Sequence, residues 1–385
     1  MFSVRRSDID HSRESSPFDI SAASIDLGNQ VRLALTLYLP VEPSARPPVL
    51  LIHGLLSSSE TFDLPGAPRA SLARYLATNG FRVVTYDQRG ARQSQTTSWQ
   101  FGLYELVTED LVGVIAWTLD RFQAERVTLG CHSLGGLEAY ALRVFLSGRN
   151  TPWNGVTEAH MGDTFVIASP SGFSPELSPW RTILQRGGPF VDGIDENRDG
   201  AVSGDEYSAG LIQLSFPTLG ALLWPGAIGW YRRILAGHPS LGKLAAYLPS
   251  LIHVYNRRDF DRSVFSLVMA SHILDRGSAR LLYELKQAME TAGELAINRE
   301  GRLIRLPVDL AGVYPFRVLT ISSAGDRMVP EGDVTAVHTL IKGGRHINVE
   351  AEFGVESGHI GFLFKPGLFP DVYRAITDFL EAGEA

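Results

Sequence analysis

The stretch GCHSLGG at residues 130–136 decides the fold, because it joins two runs of different periodicity. Residues 126–129 end an apolar, β-branched run typical of a strand, and residues 137–146 repeat apolar side chains at helical spacing. A serine on a sharp turn between strand and helix exposes its hydroxyl, and small residues after it let the helix start close by. The free N–H groups of the helix start favour an oxyanion. The stretch therefore predicts that Ser133 is a nucleophile, although Cys131 occupies the first glycine position of the pattern G-x-S-x-G.

Short apolar runs alternate with helical patterns on both sides of this turn. The runs that resemble strands buried on both faces lie at 48–53, 81–86, 126–129, 164–169 and 316–322. The helical patterns lie at 70–77, 104–119 and 137–146. A hairpin of strands at 18–27 and 31–39, turning at Gly28-Asn29, precedes them. This order predicts an α/β fold with a mostly parallel central sheet covered by helices on both faces.

The alternation stops after residue 172 and resumes near residue 315, which predicts a division of the chain. Residues 18–172 and 316–385 form the predicted core, and residues 173–315 form a large, mainly helical cap or lid insertion. Residues 1–17 are interpreted as a flexible tail. Within the insertion, residues 211–231 carry no charge but contain prolines and glycines, so packing of a cap is favoured over a membrane span. A lid that contacts acyl chains is a third alternative.

The composition excludes several classes of protein. With 44% hydrophobic and 20% charged residues among 385, the chain is an ordinary globular protein. The net charge of −7, without a basic stripe, argues against nucleic-acid binding. A single cysteine excludes an internal disulfide, and residues 1–17 lack the apolar core of a secretory signal. We therefore expect a cytoplasmic protein without a transmembrane span.

Three further segments lie where a serine nucleophile needs them. Asp326 lies in a tight loop after a late apolar run, and His359 lies in a glycine-flanked loop before the final helix. The segment LIHGLL at 51–56 ends an early strand, so the N–H of Leu55 can join that of Leu134 in an oxyanion hole. The three side chains of Ser133, His359 and Asp326 are the expected nucleophile, general base and orienting acid.

The order serine, acid, histidine along the chain is that of the α/β-hydrolase family, which this chain resembles over residues 18–172 and 316–380. HGLL at 53–56 and DQRG at 87–90 are similar to the lipase and esterase branch. In that branch the second segment reads D-x-R-G-x-G-x-S. Here Arg92 replaces the last glycine while Ser94 is retained, which affects the expected shape of the loop beside the site. The resemblance implies hydrolysis through an acyl-enzyme.

Each of these residues also has a structural interpretation. Ser133 is alternatively a helix cap, His359 a loop histidine, and Asp326 a turn residue for which Asp333 is the nearest substitute. His338 and His346 lie in less loop-like surroundings than His359. His53 and His132 are assigned to the structure around the motifs rather than to proton transfer.

The segment DENRDGAVSGDE at 195–206 matches every position of the EF-hand pattern D-x-[DN]-x-[DN]-G-x5-E. The ligands that the pattern assigns are the side chains of Asp195, Asn197 and Asp199, the carbonyl of Ala201, Ser203 through water, and both oxygens of Glu206. The segment predicts one structural calcium ion that shapes the cap, and no organic cofactor. A calcium-sensing role is less favoured, and an Asx-rich surface turn is the alternative without a metal.

The leading hypothesis is a serine carboxylic-ester hydrolase, an esterase or lipase, acting on an ester with an apolar acyl or alcohol group. An acyltransferase or a polyester-metabolism enzyme has the same triad and stays open. A non-catalytic calcium-binding scaffold is the alternative from another class. The expected partner is a small-molecule or lipid-like ester, with transient contact to a lipid surface. The oligomeric state is left open.

Overall fold

The computed structural model describes the central sheet with its helices and short pieces of the segment between residues 173 and 316. The described residues are 17–42, 44–147, 152–173, 199–203, 275–291, 294–297, 302–306, 308–313, 316–341 and 344–383. The predicted tail, apart from its last residue, and the uncharged stretch 211–231 lie outside them. The predicted boundaries of tail, core and cap therefore stay predictions.

The strands of the described residues are numbered in chain order. They are β1 (Phe18–Gly28), β2 (Val31–Pro40), β3 (Val49–Ile52), β4 (Val83–Tyr86), β5 (Val127–His132), β6 (Met161–Ile167), β7 (Ala201–Ser203), β8 (Arg276–Ser278), β9 (Glu294–Ile297), β10 (Arg302–Arg305), β11 (Val318–Ser322) and β12 (Arg345–Asn348).

The α-helices of the described residues are α1 (Leu72–Thr78), α2 (Leu103–Glu105), α3 (Val112–Phe122), α4 (Leu134–Leu146), α5 (Ala279–Glu290), α6 (Glu331–Thr335), α7 (Val349–Phe353), α8 (Gly361–Phe364) and α9 (Phe369–Glu381). A π-helical stretch, Leu106–Leu111, joins α2 to α3. Short 3-10 helices occur at Ser59–Thr61, Glu158–His160, Val308–Gly312 and Ala336–Thr339. None of the helices in the described ranges is long and apolar enough to cross a membrane.

Eight strands form one sheet in the order β1-β2-β4-β3-β5-β6-β11-β12. The pairs β1 with β2 and β2 with β4 are antiparallel, and the five pairs from β4 to β12 are parallel. The predicted mostly parallel sheet is therefore confirmed. The carboxyl ends of β3, β5 and β11 lie along one edge of the sheet, where open α/β folds bind ligands.

Within the eight-stranded sheet, the hairpin turn and the last strand differ from the sequence prediction. The hairpin turns at Asn29 and Gln30, with φ of 49° and 61°, one residue later than expected. Positive φ at both loop residues is the geometry of a two-residue turn that matches strand twist. Strand β12 was not predicted, because Ile347 is its one buried residue and an edge strand needs no longer apolar pattern.

Both faces of the sheet are covered, as predicted. Alternate residues of β3 point to opposite faces, so that Leu50 and Ile52 join one hydrophobic cluster and Val49 and Leu51 join the other. Helices α3 and α4 supply side chains to the first cluster, and α1 and α9 to the second. Ser71 caps α1 by accepting the N–H of Arg74 at 3.1 Å.

The described pieces of the 173–315 segment pack on the core. Strands β7 and β8 pair antiparallel, as do β9 and β10. Leu281 and Leu285 of α5, and Ile304 and Leu310 further along the chain, lie in the hydrophobic cluster that also contains residues of α3 and α4. This part of the segment therefore completes the core.

Candidate functional site

Ser133 lies on the turn between β5 and α4 with φ of 54° and ψ of −121°. A non-glycine residue rarely adopts this conformation, which persists only where the surrounding structure holds it. The N–H of Ser133 donates to the carbonyl of Ile167 at 3.1 Å, and its side chain makes no helix-capping hydrogen bond. Ser133 therefore stands at the N-cap position of α4 without capping the helix through its side chain.

Glycines let neighbouring backbone approach this turn. A Cβ on Gly135 would lie 2.3 Å from the carbonyl oxygen of Ile52, and one on Gly54 would lie 2.9 Å from the Cβ of Ser133. Both distances are shorter than van der Waals contact. The end of β3 therefore lies directly against Ser133. An oxyanion hole that includes the N–H of Leu55 needs this close approach.

A chain of hydrogen bonds joins three of the predicted residues. Nε2 of His359 lies 2.8 Å from Oγ of Ser133, and Nδ1 of His359 lies 2.8 Å from Oδ2 of Asp326. An ionised carboxylate only accepts, so Nδ1 carries the proton and Nε2 is free to accept that of the hydroxyl. The other oxygen of Asp326 accepts the N–H groups of Met328 and Val329 at 2.8 and 3.1 Å. All four polar atoms of the chain are thus paired in the order that nucleophilic catalysis requires.

His132 packs beside this chain. Its ring centroid lies 5.0 Å from that of His359, and Nε2 donates to the backbone carbonyl of His359 at 3.0 Å. Burial, together with the electrostatic effect of the neighbouring His359 side chain, lowers the pKa of His132 to about 3. His132 is therefore neutral at physiological pH and holds the main chain of its neighbour, which fits the structural role assigned to it.

His53 orients the peptide that precedes Leu55. The N–H of Gln88 donates to Nε2 of His53 at 3.1 Å, so the ring proton is on Nδ1 and donates to the carbonyl of Gly54 at 2.9 Å. In a trans peptide the N–H points opposite to the C=O, so the N–H of Leu55 points away from His53. The N–H of Leu134 is in the first turn of α4 and has no partner within the helix.

A buried carboxyl behind this loop was missed by the sequence analysis. The side-chain amide of Gln88 donates to Oε1 of Glu138 at 2.7 Å and to the carbonyl of His53 at 3.3 Å. Burial raises the pKa of Glu138 well above its ordinary range, which favours the protonated form of the carboxyl group. The sequence carried a signal of this buried group, namely a glutamate on the apolar side of α4, because glutamates are rarely buried without a partner.

The segment after β4 builds the neighbouring loop. Oδ1 of Asp87 accepts the N–H of Ser59 at 2.9 Å, and Oγ of Ser94 donates to the carbonyl of Asp87 at 2.5 Å. Arg89 forms a buried ion pair with Asp110 at 2.6 Å. Arg92, which stands where the family pattern has glycine, has φ of 41°. The loop therefore keeps the backbone conformation that favours glycine, with an arginine in place.

The described residues include only part of the predicted calcium loop. Asp195, Asn197 and Glu206 lie outside them, as does the side chain of Ser203. Within them, Oδ1 of Asp199 accepts the N–H of Ala201 at 2.8 Å. No group of three metal-ligating side chains occurs in the described ranges, which omit most of this loop. The calcium site stays a prediction.

Comparison with known proteins agrees with this architecture. A family model for the alpha/beta hydrolase fold matches residues 47–142, which include β3 to β5 and Ser133. A hydrolase from Pseudomonas aeruginosa PA01 superposes with a TM-score of 0.53 at 16% identity, covering 95% of this chain and 99% of that one. This chain has the α/β-hydrolase fold.

Two further similar proteins are esterases. An esterase from Exiguobacterium antarcticum superposes with a TM-score of 0.54 at 13% identity, covering 93% of this chain and 98% of that one. Sterol esterase 2 of Saccharomyces cerevisiae is 29% identical over 110 residues, which cover 26% of this chain and 20% of the esterase. The chain thus matches a fifth of the length of that relative, and the structural likeness concerns the fold alone.

Proposed function

We propose that this chain is a serine carboxylic-ester hydrolase that acts on esters with an apolar acyl or alcohol group. One observation carries the proposal: the unbroken hydrogen-bond chain from Ser133 through His359 to Asp326, with the serine on a strained turn. A nucleophile that lies on a strained turn and is hydrogen-bonded to an oriented base is the arrangement that acyl transfer needs. The match to a sterol esterase supports the choice of an ester with an apolar part.

The first half of the reaction forms an acyl-enzyme. Oγ of Ser133 attacks the carbonyl carbon of the ester while its proton passes to Nε2 of His359. The N–H groups of Leu55 and Leu134 donate hydrogen bonds to the carbonyl oxygen as it gains negative charge. As the tetrahedral intermediate collapses, His359 returns the proton to the leaving alcohol. Asp326 accepts the hydrogen bond from Nδ1 throughout and stabilises the imidazolium.

The second half repeats these steps with water. His359 removes a proton from water, the hydroxide attacks the acyl carbon, and the proton returns to Oγ of Ser133 as the carboxylic acid leaves. The neutral, buried His132 beside His359 adds no charge to the site. When His359 is protonated in the transition state, its positive charge is therefore stabilised by the carboxylate of Asp326.

Hydrolysis of p-nitrophenyl esters from acetate to palmitate tests the proposal, with Ser133→Ala as the inactive control. Labelling of the wild type by a fluorophosphonate tests the nucleophile independently of the choice of ester. We expect turnover and labelling that Ser133→Ala abolishes, with an optimum at longer acyl chains. Labelling without hydrolysis would favour an acyltransferase or a polyester-metabolism enzyme. Absence of both would favour a non-catalytic calcium-binding scaffold and overturn the proposal.

We also propose one structural calcium ion at residues 195–206, held by the predicted ligands Asp195, Asn197, Asp199, Ala201, Ser203 and Glu206. The complete EF-hand pattern supports it, as does the position of β7, which begins at the seventh residue of the loop. Gly200, the sixth residue, has φ of 84°, the conformation for which this position requires glycine. A calcium-dependent rise in melting temperature tests the site.

A further inference from the structure

One residue of the 173–315 segment holds two loops beside the nucleophile. The N–H of Asp275 donates to the carbonyl of Leu56 at 2.7 Å, in the loop that follows β3. Oδ2 of Asp275 accepts the N–H of Arg92 at 2.6 Å, in the loop that follows β4. A single aspartate therefore links the main chains of the two loops. One of the two residues that it binds, Leu56, directly follows Leu55.

Both loop residues bound by Asp275 have unfavourable backbone conformations. Leu56 has φ of 52° and Arg92 has φ of 41°, and neither is glycine. Conformations of this kind persist only where other contacts over-determine them. The two hydrogen bonds from Asp275 act directly on these two residues, so they hold the loops in the conformation that positions the peptide of Leu55.

The segment that carries Asp275 is itself fixed to the core. A Cβ on Gly277 would lie 2.7 Å from Cδ2 of Leu56, so β8 packs directly on that side chain. Oγ of Ser278 donates to the carbonyl of Trp99 at 2.8 Å, and Glu284 accepts the N–H of Leu103 at 2.8 Å. Because these contacts fix the segment around Asp275, this residue can hold the two loops in place.

We propose that Asp275 is a positioning residue for the oxyanion hole. By holding Leu56 and Arg92, it keeps the N–H of Leu55 where the oxygen of the transition state forms. This inference rests on the proposed ester hydrolysis, and it assigns a part in catalysis to the described residues around Asp275. Since the oxyanion appears only after attack, misplacement of the donor affects the chemical step more than substrate binding.

The test compares Asp275→Ala with Asp275→Asn, using kcat per active site titrated with a fluorophosphonate. Asp275→Ala removes the acceptor for Arg92, and we expect kcat to fall about tenfold with KM changed less than about twofold. Asparagine keeps an acceptor oxygen, so Asp275→Asn restores kcat to near the wild-type value. A merely structural role would lower the number of titrated sites and leave kcat per site unchanged.

Two further variants keep the test decisive if Asp275→Ala folds poorly. Gly277→Ala retains every hydrogen bond but pushes its Cβ against Leu56, and we expect the same loss in kcat. Asp309→Ala is the matched control, because Asp309 accepts the N–H of Arg305 at 2.7 Å within the same segment. We expect its kcat to equal that of the wild type.

The outcomes separate this inference from the proposed function. A wild type that hydrolyses no ester and takes no label refutes the proposed function. A wild type that is active, with Asp275→Ala and Gly277→Ala equal to it in kcat per site, refutes the positioning role alone. An Asp275→Asn variant as slow as Asp275→Ala also refutes it, because the lost acceptor would then not be the cause.

Discussion

The two oxygens of Asp326 accept hydrogen bonds from different partners. These contacts distinguish Asp326 from Asp333 as the acid that orients His359. Oδ2 accepts the hydrogen bond from Nδ1 of His359, and Oδ1 accepts the N–H groups of Met328 and Val329. An ionised carboxylate is suited to all three donors. Asp333, the nearest substitute in the sequence, lies within α6, and its carbonyl accepts the N–H of Ser171.

The first prediction concerns this carboxylate. Asp326→Asn should lower kcat by about four orders of magnitude, because the amide favours the wrong tautomer of the histidine. The measurement is hydrolysis of a short p-nitrophenyl ester. Asp333→Asn is the control and should retain most of the activity. A more severe loss in Asp333→Asn than in Asp326→Asn would contradict the assignment.

The second prediction concerns the pH dependence of stability. His132 has its pKa lowered to about 3 in the folded chain, mainly by burial, and near 6.5 when unfolded. The unfolded state therefore binds a proton first as the pH falls, and stability present above pH 6.5 is lost progressively below it. Between pH 7 and 5 this effect amounts to about 2 kcal/mol.

Chemical denaturation of the wild type and His132→Gln at pH 7 and 5 measures the effect. Glutamine keeps a donor for the carbonyl of His359 and does not titrate, so the free energy of unfolding of the variant should fall less. Carboxylates titrate in both proteins and cancel in the comparison. Equal losses in the two proteins would show that His132 is not buried in the neutral form.

The third prediction concerns the backbone at Arg92. At φ of 41° a glycine avoids the clash of a Cβ, so Arg92→Gly should be more stable than Arg92→Ala by about 1 kcal/mol. Both variants lose the ion pair to Glu60 at 2.8 Å, so their difference isolates the backbone effect. Urea denaturation measures it, and an alanine variant as stable as the glycine variant would contradict the strain.

Among the elements, the short ribbon of β7 and β8 connects the predicted calcium loop to the site. Ala201 pairs with Ser278 and Ser203 with Arg276, directly after Asp275. The carbonyl of Gly200 also accepts the N–H of Ala279 at the start of α5. An ion bound in the loop would therefore stabilise the same segment that contacts Leu56.

The fourth prediction follows from this connection. Calcium at 100 times its Kd should raise the free energy of unfolding by about 2.7 kcal/mol over the value with chelator. Glu206→Gln, which removes the bidentate ligand, should abolish the rise. Asp205→Asn changes the adjacent acid, to which the pattern assigns no ligand, and should keep it. Thermal unfolding with calcium or chelator measures both, and an unchanged wild type would refute the site.

At the scale of the whole molecule, the described part of the 173–315 segment shares one hydrophobic cluster with residues of α3 and α4. Leu310 is 1% exposed within that cluster, whereas Val308, in the same 3-10 helix, is 64% exposed. The core helix α4 packs against this turn and against β10. Folding of the core and of this part of the segment should therefore be one cooperative event.

The fifth prediction tests that cooperativity. Leu310→Ala should lower the free energy of unfolding by about 2–4 kcal/mol, since it leaves a cavity in the shared cluster. Val308→Ala should change it by less than about 0.5 kcal/mol. Denaturation followed by tryptophan fluorescence and by circular dichroism should give one coincident transition. A separate early transition in Leu310→Ala would show that the segment folds independently.

Periodicity and turn chemistry were sufficient for the fold and for the list of candidate residues. The buried strands β3 to β6 and β11 are continuous apolar runs, and burial on both faces leaves no other pattern for them. Strand β12 and the ribbon of β7 and β8 were not predicted, because short edge pairs depend on their partners more than on their own side chains. The calcium loop is a sequence motif that stays untested.

Contacts between distant segments were decided by the tertiary structure alone. Residues 133, 326 and 359 carry their chemical identity in the sequence, but their hydrogen bonds exist only because β5, β11 and the loop before α8 end at one edge of the sheet. Asp275 has no local pattern that marks it, since its partners at Leu56 and Arg92 are more than 180 residues away along the chain. Local periodicity reports which face of an element is buried. Which distant loop contacts that face depends on how the whole chain packs.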